Sequence, residues 1–174
     1  MSISGPPLAG KTTLFNAVRE HCSRRRRDIT FVGDLVRQTI ESLGVGLVES
    51  DRAAFQHYVG FRQLAVEAEL DSTKLVILDK SLVDAIAYWD VLVGENRPIW
   101  SAQLEQDRYG IVVLCDHAEI GETGNEIDLM HASLRDRLAH QIITVSGGVS
   151  TKVISVAGSR SQRLDTVLAA IDSL

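Results

Sequence analysis

Gly5-Pro6-Pro7-Leu8-Ala9-Gly10-Lys11-Thr12 satisfies the pattern G-x-x-x-x-G-K-[ST], and its reading decides the fold of the chain. The two glycines allow a tight turn, and a helix N-terminus behind them favours a bound anion. Pro6 and Pro7 carry no N–H, so the donors to a polyphosphate are expected from Leu8 through Thr13. Leu8 must take a glycine-like bend with a Cβ present. The binding set is therefore Gly5, Pro6, Pro7, Leu8, Ala9, Gly10, Lys11, Thr12 and Thr13. Lys11 would reach the β- and γ-phosphates of ATP, and the Thr12 hydroxyl would ligate Mg²⁺. A Gly/Pro turn ahead of an unrelated helix is the bland alternative. The flanks argue against it, because Ile3 is strand-like and Thr13 to Val18 reads as a helix. Only Met1 to Ser4 precede the loop, so the strand feeding it is short or its natural start is longer.

The remaining pattern alternates strands and helices. A first helix spans about Gly10 to Cys22, and Ile29 to Val32 is a buried strand. Asp34 caps a helix running to Leu43, ended by Gly44-Val45-Gly46. A long helix runs from Asp51 to Asp71, with Phe55, Val59, Phe61, Leu64, Ala65 and Ala68 on its apolar face. Lys74 to Leu78 is a continuous apolar strand, as a parallel sheet covered on both faces requires. Leu82, Ile86, Trp89 and Val93 recur at helical spacing, and the aromatics there read as core. Pro98 is expected in the first turn of a short helix to about Asp107. Ile111 to Cys115 is another buried strand, followed by a polar stretch from Asp116 to Asp128. Leu134, Leu138, Ile142 and Val145 mark a helix, Lys152 to Val156 the last strand, and Leu164, Val167, Leu168 and Ile171 the closing helix. The expected architecture is α/β: one domain over residues 1–174, a doubly wound five-stranded parallel sheet with helices on both faces.

Bulk composition excludes several classes. The 174 residues are 45% hydrophobic and 24% charged, an ordinary globular balance. A net charge of −5 argues against a protein that coats nucleic acid or an anionic membrane. Cys22 and Cys115 make no disulfide framework, and the sequence suggests neither a signal peptide nor a span of about 20 apolar residues. A soluble, cytoplasmic protein is expected. The histidines His21, His57, His117, His131 and His140 lack metal-ligand spacing. Arg24-Arg25-Arg26-Arg27 reads as a solvated turn at a helix C-terminus.

At the carboxyl ends of such a sheet, three sites converge: the loop, Asp79 directly after its apolar strand, and Asp34 after Ile29 to Val32. Asp79 would position Mg²⁺ or take a proton from an acceptor hydroxyl. Asp34 would serve as a general base, a role compatible with a helix N-cap.

The loop, Gly33-Asp34-Leu35-Val36-Arg37 and Leu78-Asp79-Lys80-Ser81-Leu82-Val83-Asp84-Ala85-Ile86-Ala87-Tyr88 together resemble small P-loop kinases. The nearest likeness is to AAA-type ATPase/kinase domains related to nicotinamide riboside kinases, and more distantly to deoxynucleoside and thymidylate kinases. The resemblance implies a P-loop NTPase fold, a nucleoside- or nucleotide-like acceptor, and ATP with Mg²⁺. It places Asp34 and Arg37 toward the acceptor, Asp79 at the metal or acceptor, and Arg135 or Arg137 at the transferring phosphoryl group. The stretch 116–128 would be a reduced lid. Lys80 replaces the arginine usual in the Asp-Arg-Ser-like triplet, and Gly121-Glu122-Thr123-Gly124-Asn125-Glu126 makes the lid acidic.

The function expected is transfer of the γ-phosphoryl group of ATP to a small-molecule acceptor, with Phe55, Tyr58 and Arg62 contacting the acceptor. Arg160 or Arg163 stacking on adenine is weighed evenly against a surface helix start. Membrane partners are not expected, and a homodimer is compatible with a chain of this size. The alternatives are a nucleotide-hydrolysing regulatory switch and a nucleotide-binding module without a phosphorylated product. A guanine-specific switch is disfavoured, since Leu114-Cys115-Asp116-His117 supplies no Asn-Lys-x-Asp tetrad.

Overall fold

The five strands lie in the order Ile29–Val32, Leu75–Asp79, Ser2–Ser4, Ile111–Cys115, Lys152–Val156, which puts the shortest at the centre of the sheet. The computed structural model describes residues 1–25, 28–44, 50–94, 96–104, 108–115, 126–147 and 151–174. The strands are β1 (Ser2–Ser4), β2 (Ile29–Val32), β3 (Leu75–Asp79), β4 (Ile111–Cys115) and β5 (Lys152–Val156), and all pair in parallel. Ile3 stands opposite both Asp79 and Val113. Three residues suffice for β1 because neighbours on both sides satisfy its backbone. This register carries the start of the phosphate loop and the Asp79 carboxylate to the same end of the sheet.

Among the described residues, the helices α1 (Lys11–Ser23), α2 (Leu35–Leu43), α3 (Arg52–Ala68), α4 (Leu82–Leu92), α5 (Glu126–Gly147) and α6 (Arg160–Asp172) accompany the strands, with a 3₁₀ turn over Ile99–Gln103. Side-chain alternation within the strands builds two cores. Ile3, Ile77, Val113 and Cys115 pack with Leu14 and Val18 of α1 and Val167 and Ile171 of α6. Leu78, Val112 and Leu114 face the other way, onto Leu82, Ile86 and Trp89 of α4 and Ile142 of α5. Trp89 and Trp100 are buried and meet edge to face with centroids 6.2 Å apart, so the aromatics of this region are core.

Boundaries differ from expectation in identifiable ways. The long helix ends at Ala68, not Asp71, whose carboxylate instead accepts from the Thr73 amide at 2.9 Å. Asp51 lies just outside as its cap, accepting from Ala54 N. Pro98 precedes the 3₁₀ turn in an extended conformation and does not sit in its first turn. The helix expected from Leu134 begins at Glu126. The polar stretch 116–128 therefore ends inside α5, and its residues 116–125 lie outside the described residues, as do 26, 27, 45, 46 and 105–107. Among the described residues, no helix is long and apolar enough to cross a membrane.

Candidate active site

The phosphate loop is built by close approach. A Cβ on Gly5 would come within 2.8 Å of the Cys115 carbonyl, so only glycine lets the loop leave β1 against the end of β4. Leu8 takes the left-handed conformation, φ 64°, with its side chain 67% exposed. The bend anticipated there is present, at a strain of about 1–2 kcal/mol for a residue with a Cβ.

Two charged side chains from distant parts of the sequence brace this loop. Asp84, in the first turn of α4, accepts from Ser4 Oγ at 2.7 Å, Gly5 N at 3.3 Å and Ser81 N at 3.0 Å. Ser81 and Asp84 thereby form a capping box that also fixes the first residue of the loop. Burial, the largest influence, pushes the Asp84 carboxyl up, and the Ser4 hydroxyl opposes it. Arg163 of α6 donates through Nη1 to the Ala9 carbonyl at 2.9 Å and through Nε to the Gly158 carbonyl at 2.9 Å. In a trans peptide the following N–H points opposite to the carbonyl, so this contact turns the Gly10 amide away from Arg163. Arg163 is 6% exposed and holds the loop backbone, which corrects the idea of it stacking on adenine. Arg160 is exposed beside it, and Gly10, Thr13, Leu14, Gly158 and Arg160 share a cleft of about 170 Å³.

Lys11 is 7% exposed and donates to the Pro6 carbonyl across the loop. Burial and then the charge of Lys80 lower its pKa, so a phosphate oxygen at Nζ would be strongly favoured. Asp79 is 1% exposed, and neither carboxylate oxygen has a hydrogen-bond partner of ordinary geometry. Burial raises its pKa, an effect eased by the Thr12 hydroxyl nearby and increased by Asp34. A buried carboxylate without partners, next to a threonine hydroxyl and a phosphate loop, fits a divalent cation completed by phosphate oxygens and water. Among the described residues no group of three or more His, Cys, Asp or Glu could hold a metal ion by itself.

Asp34 carries two jobs at once. Its Oδ1 accepts from Val36 N at 2.9 Å and Arg37 N at 3.1 Å, capping α2. The same carboxylate pairs with Lys80 Nζ at 3.1 Å. The N-cap expected from sequence is present, and a lysine from the β3–α4 connection also holds the carboxylate. Lys80 has φ 71° and lies 5.9 Å from the Tyr88 ring centroid.

Between α2, α3 and α4 lies a cavity of about 230 Å³, lined in part by Phe55, Gln56, Val59, Lys80, Asp84 and Tyr88. Phe55 lines it as expected. Tyr58 is 44% exposed and does not. Arg62 is turned to α2, bonding Thr39 Oγ1 at 2.8 Å and Gln38 Oε1 at 3.2 Å. Arg37 is exposed and outside the wall. Gln56 and Tyr88 were not anticipated. On α5, Arg137 donates to the Val91 carbonyl at 3.3 Å, in the last turn of α4, nine positions and about 13 Å of helix beyond Leu82. That contact does not bring Arg137 to the loop. Arg135 has a buried Nε with no partner among the described residues.

Glu67, also unanticipated, organises the opposite side of the β3–α4 connection. Its Oε1 accepts from the Leu82 amide at 2.9 Å and Gln63 Nε2 at 2.8 Å. Its Oε2 accepts from Arg108 Nε at 3.0 Å and the Tyr109 hydroxyl.

Comparison with known proteins agrees with this geometry. Residues 1–163 match the family model described as an AAA domain. The crystal structure of thymidylate kinase from Ehrlichia chaffeensis is similar with a TM-score of 0.70, covering 98% of this chain and 96% of that one, at 14% sequence identity. At that identity the likeness is one of fold, a five-stranded parallel sheet with helices in the P-loop NTPase arrangement. No curated protein matches the sequence.

Proposed function

The chain belongs to the AAA-domain family, and on that premise we propose that it is an ATP-dependent small-molecule kinase. Asp79 carries the reading: its buried carboxylate, next to the Thr12 hydroxyl and without a well-formed hydrogen bond among the described residues, suits Mg²⁺ better than any structural duty. Lys11 and the amides from Leu8 to Thr13 would hold the polyphosphate, and Thr12 and Asp79 would hold Mg²⁺, which when bound would supply charge neutralisation to the phosphates. Asp34, oriented by Lys80, positions the acceptor hydroxyl. The hydroxyl oxygen attacks the γ-phosphorus, the bond to the β–γ bridging oxygen breaks, and the hydroxyl proton passes to a carboxylate or solvent. The products are a phosphate monoester, ADP and a proton. Of the two α5 arginines, Arg135 is the one we assign to the transferring group, because its Nε has no partner among the described residues whereas Arg137 is bonded to Val91.

Purified protein with Mg²⁺ and ATP, offered nucleosides, nucleoside monophosphates and nicotinamide riboside, should release ADP only when an acceptor is present. Lys11→Ala should abolish transfer and leave the circular dichroism spectrum unchanged; unaltered turnover would reject the assignment. The acidic sequence 121–126 favours a second reading, a regulatory ATPase or binding module. Acceptor-independent hydrolysis, or binding alone, would select it.

A further inference from the structure

Resting on the kinase reading, we infer that the acceptor enters the α2–α3–α4 cavity as an uncharged, hydroxyl-bearing compound and not as a phosphate monoester. The walls speak first. Ile40, Phe55 and Val59 supply apolar surface, and Gln56 and Tyr88 supply neutral hydrogen-bonding groups. The charged members are Lys80 and Asp84. Lys80 is already held by both oxygens of Asp34, at 3.3 and 3.1 Å. Asp84 is committed to the loop, and Asp79 lies at the same end of the sheet. A monoester here would meet the Asp84 carboxylate and a lysine already paired with Asp34, and no uncommitted cation of the wall.

Recognition of a phosphate in a dry site calls for uncommitted cations, best a forked guanidinium. No arginine lines this cavity: Arg62 is held on Thr39 and Gln38, Arg137 on Val91, Arg37 is exposed, and Arg135, whose Nε has no partner among the described residues, is not part of the wall. In the sequence, residues 45–49, 105–107 and 116–125 contain neither lysine nor arginine. Nor do residues 126–131 at the start of α5. Those segments carry acid and no strong base. The volume of about 230 Å³ suits one ring system with a sugar or polyol. The same walls that admit the neutral acceptor disfavour its phosphorylated product, which aids release.

The test compares matched pairs at the acceptor site with the phosphate loop filled by Mg·ADP, so that a monophosphate cannot report the loop. Thymidine, adenosine and uridine are each titrated calorimetrically against their own 5′-monophosphates. At least one unphosphorylated member should bind roughly 100-fold or more tightly than its monophosphate, the scale of a like-charge mismatch. Gln56→Arg, which places a cation in the wall, should narrow that ratio about tenfold or more. Equal or tighter binding of the monophosphates overturns the inference, and so does binding of neither member of any pair. Binding of an uncharged member without phosphoryl transfer supports the inference about the pocket while rejecting the kinase reading, so the two fail separately.

Discussion

Gly60 lies in the middle of α3, where alanine is normally the better residue by about 1 kcal/mol. Here alanine should be worse. A Cβ at Gly60 would sit 2.3, 2.4 and 2.7 Å from three atoms of the Trp100 indole. Ordinary carbon contact is about 3.5–4.0 Å, so the helix or the indole must move by about 1 Å or more. The indole cannot swing aside cheaply. It is 1% exposed, packs edge-on to Trp89, and donates Nε1 to His57 Nδ1 at 3.2 Å. Overpacking against so rigid a neighbour falls at the upper end of its usual range, about 3 kcal/mol. Subtracting the propensity gain leaves Gly60→Ala destabilised by about 2 kcal/mol. For a domain of this size that lowers Tm by about 4–8 °C. Urea denaturation followed by tryptophan fluorescence measures it, and Trp100→Leu supplies the control. In the Trp100→Leu background the clash is gone, so Gly60→Ala should become neutral or stabilising. A Gly60→Ala protein as stable as its parent would refute the close approach and the placement of the 3₁₀ turn on α3.

Replacing Arg163 by Met removes charge-assisted bonds to Ala9 and Gly158, so stability should fall by about 1.5–3 kcal/mol and the Kd for ATP should rise; Arg163→Lys should restore little of either, as calorimetry and ATP titration would show. Asp84 keeps its proton more firmly in the folded chain than in the unfolded one, because burial raises its pKa. Between the unfolded value of about 3.9 and the raised folded value the native state binds the extra proton, so this group's contribution to stability falls as pH rises; Asp84→Asn should flatten that part of a stability–pH profile. Burial pushes the Cys115 thiol up to about 12. At pH 8 the native protein should therefore resist iodoacetamide at Cys115, and at buried Cys22, with alkylation of both by mass spectrometry only after unfolding.

How far sequence carried depended on the range of each interaction. The phosphate loop was legible because its geometry is local, down to the strained backbone of Leu8. The buried strands were legible because a sheet covered on both faces demands continuous apolar runs, and Ile111 to Cys115 is such a run. Asp34 and Asp51 were read as helix starts from their positions alone. Asp84 left a trace, since Ser81-Leu82-Val83-Asp84 has the spacing of a capping box, but its grip on Gly5 spans 79 positions. Arg163 reaches Ala9 across 154 positions and Glu67 meets Tyr109 across 42, distances over which pattern carries no information. Lys80 illustrates the limit best. Its departure from the expected arginine was visible, while its engagement with Asp34 required the fold that puts β2 beside β3.

The Glu67 contacts reach beyond the placement of one helix. The Leu82 amide is shared by the Glu67 carboxylate and the Tyr109 hydroxyl, well away from solvent. Three segments separated in the chain are thereby tied through one proton, and they should open together or not at all. In heavy water that proton should be among the slowest to exchange, reporting the global opening of the domain while the edges of the molecule breathe freely.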